Sequence, residues 1–202
     1  MPIAVNTEDG RPSDQQSHVL GLLQELGVLA NSTLSVGTTL HMSLGAIGRY
    51  TGWPIGRIKL NDADRALTGE PAVIWRSSQG AEALPADPWP QHLLPDGQES
   101  VVVASLPSAG EPPALLGYVG CPIYSGSERV ANLEFLTREL PQLDPPLRQV
   151  LAHAATLIGL VVERGRVQVD LRQSERRFRA IFDQSYQFIG LMEPDGTLIE
   201  AN

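Results

Sequence analysis

Apolar positions recur at three- and four-residue steps in three stretches of the chain and at alternate positions in several shorter ones. Val19, Leu20, Leu22, Leu23, Leu26 and Leu29 follow a Ser13-x-x-Gln16 capping-box pattern and predict a helix from about Asp14 to Ala30. Leu40, Leu44, Ile47 and Gly48 predict a second helix to about Tyr50, with Gly52 placed to end it. Strands are expected at Trp53 to Leu60, Ala72 to Arg76 and Val101 to Leu106. The clearest hairpin joins Leu115–Tyr124 to Val130–Thr137 around Ser125-Gly126-Ser127. Val119, Cys121 and Ile123 then share one face, and so do Leu133 and Phe135. Between Ser77 and Ser100, Pro85, Pro88, Pro90 and Pro95 with Gly80 and Gly97 oppose long regular structure, so a functional flap or a disordered insertion is expected. The order helix, helix, strands, helix indicates an α+β domain, an antiparallel sheet with flanking helices.

The third helical stretch runs from about Asp144 to Gln184. Asp144 suits an N-cap, Pro145 suits the first helical position, and no proline follows until Pro194. At 1.5 Å per residue such a helix reaches roughly 60 Å, about twice the width of a small domain, so it is expected to leave its domain. Val150, Leu157, Leu160, Val167, Leu171, Phe178 and Ile181 recur at an average of 3.5 residues, the repeat of a left-handed coiled coil, and predict a homodimer through this helix. A second stripe, Leu151, Ala154, Ile158, Val161 and Gly165, ends early, so the first half can pack on its own domain while the later half needs a partner. Arg164 and Ser174 interrupt the seam and leave a helix folded back on its own domain as the competing reading.

Composition narrows the function. Of 202 residues, 42% are apolar and 5% aromatic, enough for an ordinary core. The formal charge of -8 argues against nucleic acid as a partner, since phosphate neutralisation needs clustered cations, and the Arg172 to Arg179 run is interleaved with Glu175. A single cysteine excludes an intrachain disulfide framework and fits a reducing compartment. No secretory signal pattern is present and no apolar run approaches the ~20 residues of a membrane span, so a cytoplasmic protein without membrane contact is expected.

Trp53-Pro54-x-Gly56, the run Gly120-Cys121-Pro122-Ile123 with Ala131-Asn132-Leu133-Glu134-Phe135, and Leu157-Ile158-Gly159 with Glu163-Arg164 resemble the GAF family of small sensory domains over about residues 14 to 165. Leu171 to Ser185, then Phe188-Ile189-Gly190-Leu191, Asp195-Gly196, Thr197-Leu198-Ile199 and Ala201-Asn202, resemble the entry into PAS domains of bacterial sensor proteins. Asp-Gly is also the favoured two-residue hairpin turn. The resemblance implies a loose N-terminus (1–12), a GAF-like domain (13–165), a coiled-coil signalling linker (166–184) and the start of a PAS domain (185–202). It further implies the input region of a longer histidine kinase or diguanylate cyclase that continues past Asn202.

No catalytic motif stands out. GAF relatives include bilin photoreceptors and methionine sulfoxide reductases that use cysteine, but Cys121 has no resolving thiol or Cys-His neighbour and alternates inward as a small apolar residue. His18, His41, His92 and His153 lack paired metal spacing, and no phosphate-cradling Gly-rich loop occurs. A cofactor is not indicated by these residues. Trp75, Trp89, Tyr118 and Cys121 form the candidate pocket for a small-molecule ligand, with Trp53 a further aromatic and Trp89 favoured by its place in the Pro-rich segment. The alternatives are a redox enzyme acting through Cys121 and a dimerisation module without ligand.

Overall fold

The computed structural model describes residues 12–70, 72–76, 89, 101–106, 116–183 and 190–201. Residues 1–11 of the expected loose N-terminus, most of the Pro-rich segment and the Phe188-Ile189 part of the PAS-like match lie outside the described residues, while Pro12 belongs to a helix. The chain divides into two compact units, Met1–Glu163 and Arg164–Asn202.

The first unit opens with α1 (Pro12–Ala30) and α2 (Val36–Thr51). Helix α1 starts at Pro12, a residue suited to the first helical position, so Ser13 lies inside the first turn rather than before it. Helix α2 is capped at both ends by short-range chemistry. Ser35 accepts a hydrogen bond from the Thr38 N–H, and Gly52 takes φ 71°, a left-handed conformation that costs glycine little, while its N–H donates to the Gly48 carbonyl.

Strands β1 (Ile55–Leu60), β2 (Ala72–Arg76), β3 (Val102–Ser105), β4 (Gly117–Ser125) and β5 (Glu128–Thr137) form an antiparallel sheet in the order β2-β1-β5-β4-β3, with a 3-10 helix at Asp62–Leu67 between β1 and β2. Helix α3 follows over Pro145–Asp183. The Asp144 carboxylate accepts from the Leu147 N–H at 2.9 Å, the N-cap its position predicted.

Period-two alternation sorts the sheet's side chains. Ile58 and Leu60 on β1, Val119, Cys121 and Ile123 on β4, and Leu133 and Phe135 on β5 join Leu40, Leu44 and Ile47 of α2 and Leu151, Ala154, Ile158 and Val161 of α3 in one buried cluster. Ile55, Tyr118 and Leu136 point the other way and form a separate buried cluster. Helix α2 lies tight on β2 because Gly45 and Gly48 leave room for Trp75. A Cβ at Gly48 would stand 2.1 Å from its ring.

Helix α3 changes character along its length. The stripe Leu151, Ala154, Ile158, Val161 is buried, as expected for the half that packs on its own domain. Val150, placed on the intermolecular seam by spacing, is instead 4% exposed within this core, and Leu157 packs partly against it. The cause is geometric: at 3.6 residues per turn Val150 lies within about 40° of Ala154 on the buried stripe, whereas Leu160 lies about 80° from Val150 on the side away from it. An 18-residue window of α3 has a mean hydropathy of 1.2, long and apolar enough by composition to cross a bilayer, which corrects the expectation that no stretch is. Of that window 44% is buried inside the protein, against the first unit.

In the second unit, Phe178 and Phe182 stack at 5.6 Å, and β6 (Gly190–Met192) pairs antiparallel with β7 (Leu198–Ala201) across a turn in which Gly196 takes φ 90°. The Asp195-Gly196 turn was legible, but both strands are exposed.

Leu133→Ala, at a fully buried position between β1 and β4, is expected to cost about 2–5 kcal/mol in urea unfolding, whereas Leu160→Ala on the exposed side of α3 changes stability by about 0.5 kcal/mol or less.

Candidate functional site

The sheet face turned away from the helices bears charge where its flanking residues are aliphatic. Arg57 and Glu134 are direct partners in the β1–β5 ladder, and Arg57 Nε donates to Glu134 Oε2 at 2.5 Å. The second carboxylate oxygen, Oε1, accepts from the Tyr118 hydroxyl at 2.7 Å. The side chains of Arg57 and Glu134 are 15% and 6% exposed, so the pair is nearly desolvated. Such a pair holds only with its hydrogen bonds satisfied, and both carboxylate oxygens are.

Trp89 closes this group. Its ring lies 4.2 Å from the Arg57 guanidinium carbon and packs on the Ile55, Tyr118 and Leu136 cluster. Its Nε1–H is buried without an acceptor, the one such side-chain atom among the described residues. A buried donor left unpaired costs about 1–3 kcal/mol, so an acceptor placed there would gain that much. At the edge of the group, Arg129 Nε donates to Asn132 Oδ1, and Asn61 Nδ2 donates to the Arg129 carbonyl.

The arrangement suits binding rather than proton transfer. Burial, then the neighbouring Glu134 charge, push the Tyr118 phenol far above its ordinary value, so it stays neutral and holds its proton on Glu134. Both Glu134 oxygens are already engaged, one by Arg57 and one by Tyr118. The group is a rigid, charge-balanced floor with an aromatic cover.

The four residues expected to share a pocket are separated by the sheet. Tyr118 and Trp89 meet on the outer face, while Trp75 packs on α2 and Cys121 faces α3, both on the inner face. The reason is parity, since residues 118 and 121 on one strand must point to opposite sides. Cys121 lies 3.9 Å from the Leu151 carbonyl, and burial pushes its thiol up to about 12, so the thiolate that redox chemistry requires is absent at neutral pH. It lines the floor of an open groove of about 880 Å³ between β4 and α3.

Sequence reading passed over Arg57 and Glu134. The signal was present: each is a charge flanked by apolar residues, Ile55-Gly56-Arg57-Ile58 and Leu133-Glu134-Phe135-Leu136, and the two signs are opposite. Only the ladder register made them partners. Along α3, Leu160, Val167, Leu171, Phe178 and Ile181 are 58%, 58%, 67%, 47% and 71% exposed. Among the described residues no cluster of His, Cys, Asp and Glu could hold a metal ion.

No protein-family model matches this sequence, and neither does any curated protein. Solved structures do match. The GAF domain of a protein assigned as a sensor histidine kinase from Pseudomonas syringae pv. tomato is 16% identical, with a TM-score of 0.58 over 81% of this chain and 97% of that one. The phycoerythrobilin-bound GAF domain of a cyanobacterial phytochrome is 8% identical, with a TM-score of 0.57 over 76% and 98%. A bacteriophytochrome from the photosynthetic bacterium R. palustris is 11% identical, with a TM-score of 0.56 over 91% of this chain and 43% of that one. These likenesses define the fold as α+β and GAF-like, with its five-stranded antiparallel sheet and long C-terminal helix.

Arg57→Ala leaves Glu134 buried and unpaired and is expected to cost about 3–5 kcal/mol in urea unfolding, while Tyr118→Phe costs about 1–3 kcal/mol. The Cys121 and Tyr118 values are both raised by folding, so their contribution to stability is complete below the ordinary thiol value of 9.0 and declines as pH rises beyond it, because the unfolded chain ionises first. Stability measured from pH 8 to pH 11 should fall, and Cys121→Ala should flatten part of that fall.

Proposed function

We propose that this chain is the sensory and coupling region of a cytoplasmic bacterial signal-transduction protein. A small molecule binds on the outer face of the first unit's sheet, and a dimeric α3 passes the change toward a PAS-like second unit that precedes a histidine kinase or diguanylate cyclase output. The observation that carries the reading is the exposure of Leu160, Val167, Leu171, Phe178 and Ile181 at coiled-coil spacing on a helix whose other stripe is buried in the first unit. Exposed apolar residues in such a line mark a surface that a partner covers, and an identical helix supplies the same spacing.

The ligand side of the reading is supported by Trp89. It covers a buried ion pair with an unpartnered donor, a composition that can accept a planar or hydrogen-bonding molecule at little cost to the sheet. Binding there would bias two arrangements of the domain, and the helix would carry the bias as a small rotation or register change. The GAF domains to which the fold is similar include one from an assigned sensor kinase and one holding phycoerythrobilin, which supports a sensory role.

Native mass spectrometry tests both halves. The chain should fly as a dimer of 21.8 kDa protomers, and the double variant Leu160→Glu, Val167→Glu as a monomer with its circular dichroism unchanged. A dimer that survives both substitutions, or a monomeric parent, would overturn the coupling role. Additional mass retained by the parent and absent from Trp89→Ala would place the ligand on the outer face.

A further inference from the structure

The last residues of β4 come close to α3. The Tyr124 carbonyl oxygen lies where a side chain at position 159 would begin: a Cβ on Gly159 would be 2.2 Å from it. One turn further along the same helix, Ser125 Oγ donates to Glu163 Oε2. A register shift between Ile123 and Tyr124 interrupts the ladder here, freeing these two residues from the pleat that fixes Cys121 and Ile123 inward. The turn then closes at Gly126 with φ 59°. The open groove floored by Cys121 ends at this contact, with Gly159 and Glu163 on one wall and Ser125 on the other.

We propose that the Tyr124/Gly159 approach and the Ser125–Glu163 hydrogen bond form a releasable clasp that ties the tip of the β4–β5 hairpin to α3 at the last residue before the second unit begins. The clasp rests on the sensory reading for its purpose, but its existence is independent of any ligand. Its parts suit release. Gly159 contributes no side-chain burial, Glu163 is exposed, and the bulge supplies slack, whereas Leu151, Ile158, Val161 and Val162 keep α3 seated when the tip lifts.

A link to the outer face is built in. Tyr124 is the register partner of Arg129, which bonds Asn132 and exerts its charge on Tyr118. A ligand that draws Arg129 toward the outer face therefore pulls the residue paired with Tyr124 and loads the clasp. Opening widens the groove, exposes Cys121 and frees the segment of α3 at Glu163 from its hold on the sheet.

Cys121 is the single thiol of the chain and serves as a built-in reporter. Maleimide labelling of the 202-residue protein under native conditions should be slow. The pair Ser125→Ala, Glu163→Gln should raise the rate about two- to fivefold, the effect of losing one solvent-exposed contact to a charged group, with the urea midpoint held. Gly159→Ala should raise it further, since its Cβ cannot coexist with the Tyr124 carbonyl, and amide exchange should accelerate at residues 124 to 129 ahead of the core strands. Labelling at the parent rate in both variants would overturn the clasp. So would a rise that only tracks a lowered urea midpoint, because the thiol is then reached by global unfolding. Native mass spectrometry of the same variants reads dimerisation and retained ligand separately, so a failed clasp and a failed sensory role give different results.

Discussion

The register of β5 between β1 and β4 is the constraint on which everything else in the first unit depends. It sends Leu133, paired with Ile58, and Phe135, paired with Gly56, to the helices, and Glu134, paired with Arg57, and Leu136, paired with Ile55, to the opposite face. A slip of one residue would set Glu134 against the helices without Arg57 and bring Leu133 to the outer face. An uncompensated buried carboxylate costs several kcal/mol, comparable with a large part of a domain's net stability, so the alternative registers are closed. The ion pair, in itself close to neutral in stability, thereby acts as a register lock and as the floor of the candidate site.

The same alternation separates two kinds of chemistry. On the inner side Cys121 is surrounded by aliphatic side chains and raised out of the reactive range, so its role is packing against the Leu151 turn of α3. On the outer side Arg57, Glu134 and Tyr118 are matched to each other, and the Trp89 indole N–H beside them has no acceptor among the described residues. A face with satisfied charges and one unmet donor favours recognition over turnover.

Helix α3 serves two masters through two stripes. Leu151, Ala154, Ile158 and Val161 commit one side to the first unit, and the line from Leu160 onward stays exposed. Because both stripes lie on one helix, the proposed release at Gly159 and Glu163 and the proposed pairing at Val167 and beyond would act on a single element. Rigid helices convert small shifts at one end into shifts at the other, which packed side chains in a loop would absorb.

Local chemistry was legible in the residues themselves. The Ser35-to-Gly52 bounds of α2 were only half read, but Gly52 as its stop, Asp144 as the cap of α3, the β4–β5 hairpin and the Asp195-Gly196 turn all follow from short-range propensity and hydrogen bonding, which adjacent residues decide. The α+β class followed from the order of those elements. What tertiary structure alone decided was pairing at a distance. Arg57 and Glu134 stand 77 residues apart, and no local pattern states that they face each other; strand register does. The residues expected to share a pocket, Trp75, Trp89, Tyr118 and Cys121, are divided between the two faces for the same reason, since strand parity decides which side of the sheet each takes. Val150 left the seam because helical phase, fixed by packing of the opposite stripe, carried it into the core. Period and propensity are properties of neighbours in the chain, whereas facing and phase arise only when separate elements are brought together.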